Sequence, residues 1–332
     1  MSSNDSTRST SWSPDVIEGY EQHEIELGED PDGEGRAVAV LVRRPVRDGE
    51  QVRGVMLHVH GFSDYFFQTD LADFAAAHGL AFYALDLRKC GRARREGQSA
   101  HYVSDLALYD VELDAATAIV AAEHPDVPVV LEGHSTGGLV TALYLDRRRR
   151  EGRLAPYAGL VHNSPWYDLQ GKPSMRGVLT WAMHAVSTVR PLRPLNLPAG
   201  NYGRTLHVEG TGEWEFDTEW KPLTGFPIIV GWLSAVRKAQ ARLHRGLDVG
   251  VPALVLRSET THYSRRYSEK SDRADIVLDV RQIARWAGCL GTKTWIVPIA
   301  DARHDVFLSL HGPREEAYAV LERWLADNDL GA

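Results

Sequence analysis

Apolar positions along the chain fall into short runs separated by amphipathic stretches. Runs rich in β-branched and aromatic residues occur at 36–44 (RAVAVLVRR), 54–60 (GVMLHVH), 81–87 (AFYALDL) and 128–133 (PVVLEG). Three more lie at 159–163 (GLVHN), 252–257 (PALVLR) and 293–299 (KTWIVPI). Runs as continuously apolar as PVVLEG predict strands buried on both faces. Between them, helical patterns run from an N-cap at Ser104 to about Glu123, from Ser135 to about Arg150, from Asp275 or Ile276 to Trp286, and from Pro313 to about Asp327. This alternation predicts an α/β fold with a mostly parallel central sheet flanked by helices on both faces.

One segment breaks the rhythm. Residues 166–250 separate two strands by far more chain than a crossover needs. They contain Trp166, Trp181, Trp214, Trp220 and Trp232, several prolines, and a helical pattern from about Ile228 to His244. An inserted lid (cap) over the core is expected. Its tryptophans are expected to line an acyl pocket or to pack a small subdomain. The expected organisation is a flexible polar leader at 1–20, a core at 21–165 and 251–332, and the lid at 166–250.

Composition narrows the function classes. The 332 residues carry a formal net charge of -8, with 43% apolar and 25% charged residues. A negative chain argues against a nucleic-acid partner. No apolar run reaches the length of a transmembrane helix, so no stable membrane insertion is expected. The leader lacks the basic and apolar regions of a signal peptide. The two cysteines, Cys90 and Cys289, form no disulfide framework, and a cytoplasmic location is expected. The basic run 147–150 ends a predicted helix, where cations complement the helix dipole and stay solvated.

The candidate chemistry starts at Gly133-His134-Ser135-Thr136-Gly137-Gly138. It follows an apolar strand and precedes a helical run, the context that gives G-x-S-x-G meaning. Glycines on both sides relieve a strained turn that projects Ser135. The N–H of Thr136, at the helix start, is a candidate oxyanion donor. A serine needs a base. Of fourteen histidines, His304 lies just past the last predicted strand, on the rim where loops at strand C-termini gather. His311 is the less favoured alternative. A carboxylate must orient the base. Asp275 is the first candidate, with Asp272, Glu259 and Asp279 as alternatives after a long polar loop. The loop His60-Gly61-Phe62-Ser63-Asp64-Tyr65 offers the N–H of Phe62 as a second oxyanion donor, with His60 supporting the loop.

Other groups are expected to be structural. His58 and His60 share a strand face, but no further ligand follows at metal-site spacing. Cys90 is expected to be a small packed residue, and Glu132, on a buried strand, to be paired.

Together HGFSDY at 60–65, DLRKCGRA at 86–93, GHSTGG at 133–138 and the late Asp275…His304 pair resemble the α/β-hydrolase superfamily. The similarity is to its monoacylglycerol-lipase and lysophospholipase-like branch, which is grouped with the serine aminopeptidases. It spans roughly 35–165 and 251–330. The resemblance implies Ser135 as nucleophile, Asp275 as acid, His304 as base, Phe62 and Thr136 as oxyanion donors, and no cofactor. It implies hydrolysis of small-molecule carboxylic esters, with an apolar acyl or aromatic group suggested by the lid. Two departures stand out. The family's Asp-x-x-Gly-His-Gly-x-Ser is replaced at Asp86–Ala93, and a long insertion precedes Asp275. A peptidase or amidase with the same triad, or a non-catalytic ligand-binding homologue, are the alternatives.

Overall fold

The computed structural model describes residues 11–170, 185–195, 200–264 and 266–331. The described residues form one sheet of nine strands: β1 (Ser13–Pro14), β2 (Glu21–Glu29), β3 (Arg36–Arg43), β4 (Gly54–Val59), β5 (Leu80–Asp86), β6 (Val129–His134), β7 (Tyr157–Asn163), β8 (Ala253–Ser258) and β9 (Thr294–Ile299). Their spatial order is β1-β2-β3-β5-β4-β6-β7-β8-β9. The first three pair antiparallel, and β3 runs antiparallel to β5. From β5 to β9 every pairing is parallel. All seven predicted strands are present.

The helices are α1 (Thr69–Ala77), α2 (Asp110–Glu123), α3 (Thr136–Arg150), α4 (Tyr202–Leu206), α5 (Val230–Leu243), α6 (Val280–Ala287) and α7 (His311–Asp327). The period-two geometry of a strand divides their contacts. Val55, Leu57 and Val59 of β4 join the cluster built with α2, α3, α5 and α6. Met56 joins the opposite cluster, with Leu71 and Ala75 of α1 and Leu321 and Trp324 of α7. Both faces are therefore covered, as continuously apolar central strands require.

Several boundaries differ from expectation. Helix α2, expected from Ser104, is preceded by a 3-10 turn over Leu106–Tyr109, which Asp105 caps by accepting the Ala107 N–H with its side chain. No helix begins at Asp275 or Ile276. Asp275 Oδ1 accepts the N–H groups of Val277 and Leu278, closing a side-chain turn in place of a helical one. Helix α6 starts only after its own cap, Asp279. The flexible leader is corrected over its second half, since residues 1–10 lie outside the described ones. Ser13 and Pro14 pair with β2, Tyr20 is buried, and Asp15 holds the Arg92 guanidinium at 2.6 Å.

The departing loop after β5 explains that anchor. Its basic residues are inside: Arg88 pairs with Glu112, Lys89 with Glu34, and Arg92 with Asp86 and Asp15. Within 147–150, Arg148 is buried rather than solvated as expected, whereas Arg150 is exposed. Each arginine of the run meets an acid: Asp110, Asp114, Asp248 and Asp146, in chain order.

Candidate active site

Ser135 stands between β6 and α3 with φ 52° and ψ -115°, a conformation an L-residue adopts only when its surroundings hold it there. Its own N–H donates to the Asn163 carbonyl at 2.9 Å, at the end of the neighbouring β7. Its carbonyl accepts from Gly138 and Trp166. Its side chain makes no helix-capping bond. Gly137 permits this turn, because a Cβ there would lie 2.3 Å from the Val59 carbonyl oxygen. Helix α3 can thus begin directly against the end of β4.

His304 lies beyond β9, 2% exposed, and its Nδ1 is 2.9 Å from Oδ2 of the fully buried Asp275. A carboxylate at Nδ1 holds the proton there and leaves Nε2 as the basic edge. The long loop before Asp275 does not displace it. Asp275 donates its N–H to the Thr260 carbonyl, and His262 donates to the Asp275 carbonyl, so the chain returns to the end of β8 after its excursion. The other acids are engaged elsewhere. Asp272 binds Arg303 and Tyr267, Asp279 caps α6, and Glu259 is exposed. His311, at the start of α7, is exposed.

The loop after β4 approaches the elbow closely. A Cβ on Gly61 would lie 2.9 Å from Ser135 Cβ, so only glycine fits. His60 sets the next peptide. Leu87 donates its N–H to His60 Nε2 at 3.1 Å, which leaves the proton on Nδ1 to donate to the Gly61 carbonyl at 2.7 Å. In a trans peptide the carbonyl and the following N–H point in opposite directions. Holding the Gly61 carbonyl therefore orients the Phe62 N–H. Thr136, first in α3, has an N–H with no intrahelical acceptor.

Phe62, Ser135, Thr136 and His304 line one cavity of about 570 Å³. One part of its wall is apolar: Trp166, Leu195, Ile228, Trp232, Ile276 and Val277. Another is polar, with Asn201, Tyr202, Lys221, Asp64 and His134. The tryptophans divide between two settings. Trp166 and Trp232 face the cavity, whereas Trp214 and Trp220 pack with Tyr65, Phe67, Phe216 and Leu308. Trp181 lies outside the described residues.

A buried charge cluster adjoins the elbow. Lys221 Nζ lies 2.6 Å from Asp64 Oδ1, and His134 Nδ1 lies 3.2 Å from Asp64 Oδ2. Burial pushes the Asp64 carboxyl up, but Lys221 and then His134 outweigh it and hold it well below the usual range. Burial pushes His134 down, yet Asp305 and Asp64 outweigh it and raise its pKa above the ordinary histidine value. Asn163 ties the elbow to the His304 loop, donating to Asp305 Oδ1 at 2.6 Å and accepting from the Val306 N–H at 3.0 Å. Neither Asn163 nor Lys221 was expected from sequence. An Asn closing an apolar strand, in GLVHN, was the one available sign for the first.

The groups expected to be structural have partners. His58 binds Glu132 between the central strands. Cys90 contacts His101 Nδ1 and the Arg88 carbonyl, and burial pushes its thiol pKa well up. Among the described residues no group of three or more His, Cys, Asp or Glu side chains could hold a metal ion.

A mostly parallel sheet covered by helices on both faces, with a strained serine at a strand-to-helix turn, is the α/β-hydrolase fold. The chain belongs to the serine aminopeptidase S33 family, whose model matches residues 50–271. That match includes Phe62, Ser135 and Thr136 and ends before Asp275 and His304. A monoacylglycerol lipase of Mycolicibacterium smegmatis is 32% identical over 114 residues, 34% of this chain and 38% of that protein. The matched stretch thus spans well under half of the relative. Among solved structures, a soluble variant of monoglyceride lipase from Saccharomyces cerevisiae, in complex with a substrate analogue, superposes with a TM-score of 0.64 at 15% identity, covering 91% of this chain and 94% of that one. The monoacylglycerol lipase of Paleococcus ferrophilus gives 0.60 at 19% identity, covering 84% and 96%. A thermostable carboxyl esterase from Bacillus coagulans gives 0.64 at 14%, covering 92% and 98%. At such identities the likeness concerns the fold alone. Among the described residues no helix is long and apolar enough to cross a membrane.

Proposed function

We propose that the protein is a serine hydrolase that cleaves carboxylic esters through an acyl-enzyme on Ser135. The observation that carries this is the 2.9 Å contact between His304 Nδ1 and the buried Asp275, with His304 and Ser135 on the wall of one cavity. In this mechanism His304 Nε2 takes the Ser135 proton as Oγ attacks the ester carbonyl. The Phe62 and Thr136 N–H groups stabilise the oxyanion. The imidazolium, held by Asp275, protonates the leaving alcohol, and water then cleaves the acyl-enzyme with His304 again as base.

The apolar wall formed by Trp166, Trp232, Ile276 and Val277 supports an apolar acyl or aromatic group. Carboxylesterase or monoacylglycerol-lipase-like activity follows, with the inserted segment 166–250 as its lid. We place the protein in the cytoplasm, in keeping with two cysteines that form no disulfide.

The S33 family name raises a second reading, an aminopeptidase with the same triad. A free α-amino group calls for a carboxylate partner. Among the described cavity-lining residues Asp64 is the one acid, and Lys221 and His134 already occupy both its oxygens. This favours the ester. A fluorophosphonate probe should label the protein, and Ser135→Ala should abolish labelling. Hydrolysis of short and medium acyl esters and monoglycerides should exceed that of aminoacyl-arylamides. Folded wild-type protein that does not label would overturn the proposal.

A further inference from the structure

Four buried side chains link the loops on which the proposed chemistry depends. Asp64 belongs to the loop that carries Phe62. His134 precedes Ser135. Asp305 follows His304, and its Oδ2 lies 4.0 Å from His134 Nε2, which makes no hydrogen bond among the described residues. The fourth, Lys221, comes from the inserted segment. It is 4% exposed and 2.6 Å from Asp64.

The neighbouring contacts run along the same seam. Asp305 donates its N–H to the Tyr202 hydroxyl at 2.9 Å. Phe226 donates to Ser63 Oγ at 2.9 Å, and Asp217 to the Tyr65 hydroxyl at 2.7 Å. The inserted segment is therefore fastened both to the loop after β4 and to the loop after β9, and Lys221 supplies a charged contact to the first.

A buried ammonium is a costly way to dock two surfaces, since desolvation offsets most of what the ion pair contributes. A methionine would pack as well. What an ion pair adds is geometry. Asp64 has two oxygens, one for Lys221 and one for His134, and both must be met at once. The remaining Lys221 N–H groups have Phe67, Phe216 and Tyr202 nearby, with ring centroids 5.3, 5.6 and 5.7 Å from Nζ. The ammonium is therefore confined between the carboxylate and three aromatic rings.

We propose that Lys221 is a positioning residue. By holding Asp64 against His134 it sets the Phe62 loop relative to the Ser135 elbow, so the docked inserted segment is a condition of fast acyl transfer. The inference rests on the serine-hydrolase reading above. Lys221 acts through Asp64, two residues from the Phe62 N–H, so its loss should slow acylation and leave substrate binding nearly unchanged.

The test compares wild type, Lys221→Met and the double variant Asp64→Asn/Lys221→Met. Thermal melting establishes the folded fraction of each. Fluorophosphonate labelling rates and steady-state ester hydrolysis are then read per folded molecule. Lys221→Met should lose on the order of 10²-fold in kcat and in labelling rate, with KM within about twofold, the scale of a small misplacement near the reacting atoms. Where Lys221→Met fails to fold because Asp64 is left buried and unpaired, the double variant decides, since it leaves no lone charge. It should fold and remain slow. A double variant with the kcat of wild type would reduce Lys221 to a stabilising contact and overturn the inference. Wild type that labels while Lys221→Met labels equally fast overturns this inference alone. Wild type inert to the probe overturns the serine-hydrolase reading with it.

Discussion

Asp275 Oδ2 lies 2.9 Å from His304 Nδ1, while Asp275 Oδ1 accepts the N–H groups of Val277 and Leu278. One oxygen fixes the carboxylate to the backbone and the other orients the imidazole. Asp275→Asn keeps the shape but can present an amide N–H to Nδ1, which favours the wrong tautomer. Its kcat for ester hydrolysis should fall on the order of 10³–10⁴-fold. Asp272→Asn and Asp279→Asn, whose carboxylates serve Arg303 and the α6 N-terminus, should keep kcat within a few-fold. Steady-state kinetics of the three variants makes the comparison. A Asp279→Asn loss equal to that of Asp275→Asn would refute the assignment.

His60 holds the Gly61 carbonyl and so aims the N–H of Phe62, the proposed oxyanion donor. His60→Phe removes that donor and leaves the ring volume. The peptide is then free to rotate, and the proposed oxyanion hole loses one donor. A kcat loss of roughly 10²-fold with little change in KM is expected, the scale for one oxyanion donor. Unchanged kcat in a folded His60→Phe variant would show that the loop sets this peptide without His60.

The legible parts of the molecule were those whose burial is written locally. PVVLEG and GLVHN read as strands because both faces of the central sheet are covered, so every residue must be apolar or paired. Strand β2 was missed because only Ile25 is buried in EQHEIELGE, and the rest faces solvent or the hairpin partner. The turn around Ser135 was legible because its glycines answer steric limits within a few residues. The proposed acid is not fixed by sequence because its register depends on the Thr261–Asp275 bridge, which returns a polar loop to β8 and has no periodic signature. Lys221 was invisible for a related reason. Its partner Asp64 is 157 residues away, and no local pattern marks a lysine as buried.

Acid should destabilise the protein earlier than its carboxylates alone would dictate. His162 is buried between Thr141 and Tyr167, and burial holds its pKa down to about 3. Burial likewise lowers His60 and His101. A histidine depressed in the folded state is protonated first in the unfolded state. Its stabilising contribution is complete above the unfolded value, about 6.5, and is lost as pH falls toward the folded value. Each such group costs about 1.4 kcal/mol per pH unit in that window. For His162 alone this is roughly 2 kcal/mol at pH 5. His134, raised in the folded state, works in the opposite sense and loses its contribution as pH rises. Urea unfolding at pH 7.5 and pH 5 should show a smaller loss for His162→Gln than for wild type. Equal losses would mean that His162 is protonated alike in both states.

Ser135 sits in a strained backbone conformation. With φ 52° and ψ -115° it occupies a region that costs an L-residue roughly 1–3 kcal/mol. Glycine carries no Cβ and enters that region freely, although it loses more entropy on folding. Ser135→Gly and Ser135→Ala both remove the proposed nucleophile, so both should be inert to the fluorophosphonate probe. They differ only in a methyl group at a strained position, and the strain should decide. Ser135→Gly should melt above Ser135→Ala, by about 1 kcal/mol in unfolding free energy once the glycine entropy is offset. Paired denaturant titrations give the difference directly. If Ser135→Ala were the more stable, the turn would not be strained in solution. The Asn163 and Trp166 hydrogen bonds to the Ser135 backbone would then be holding a conformation the chain already prefers.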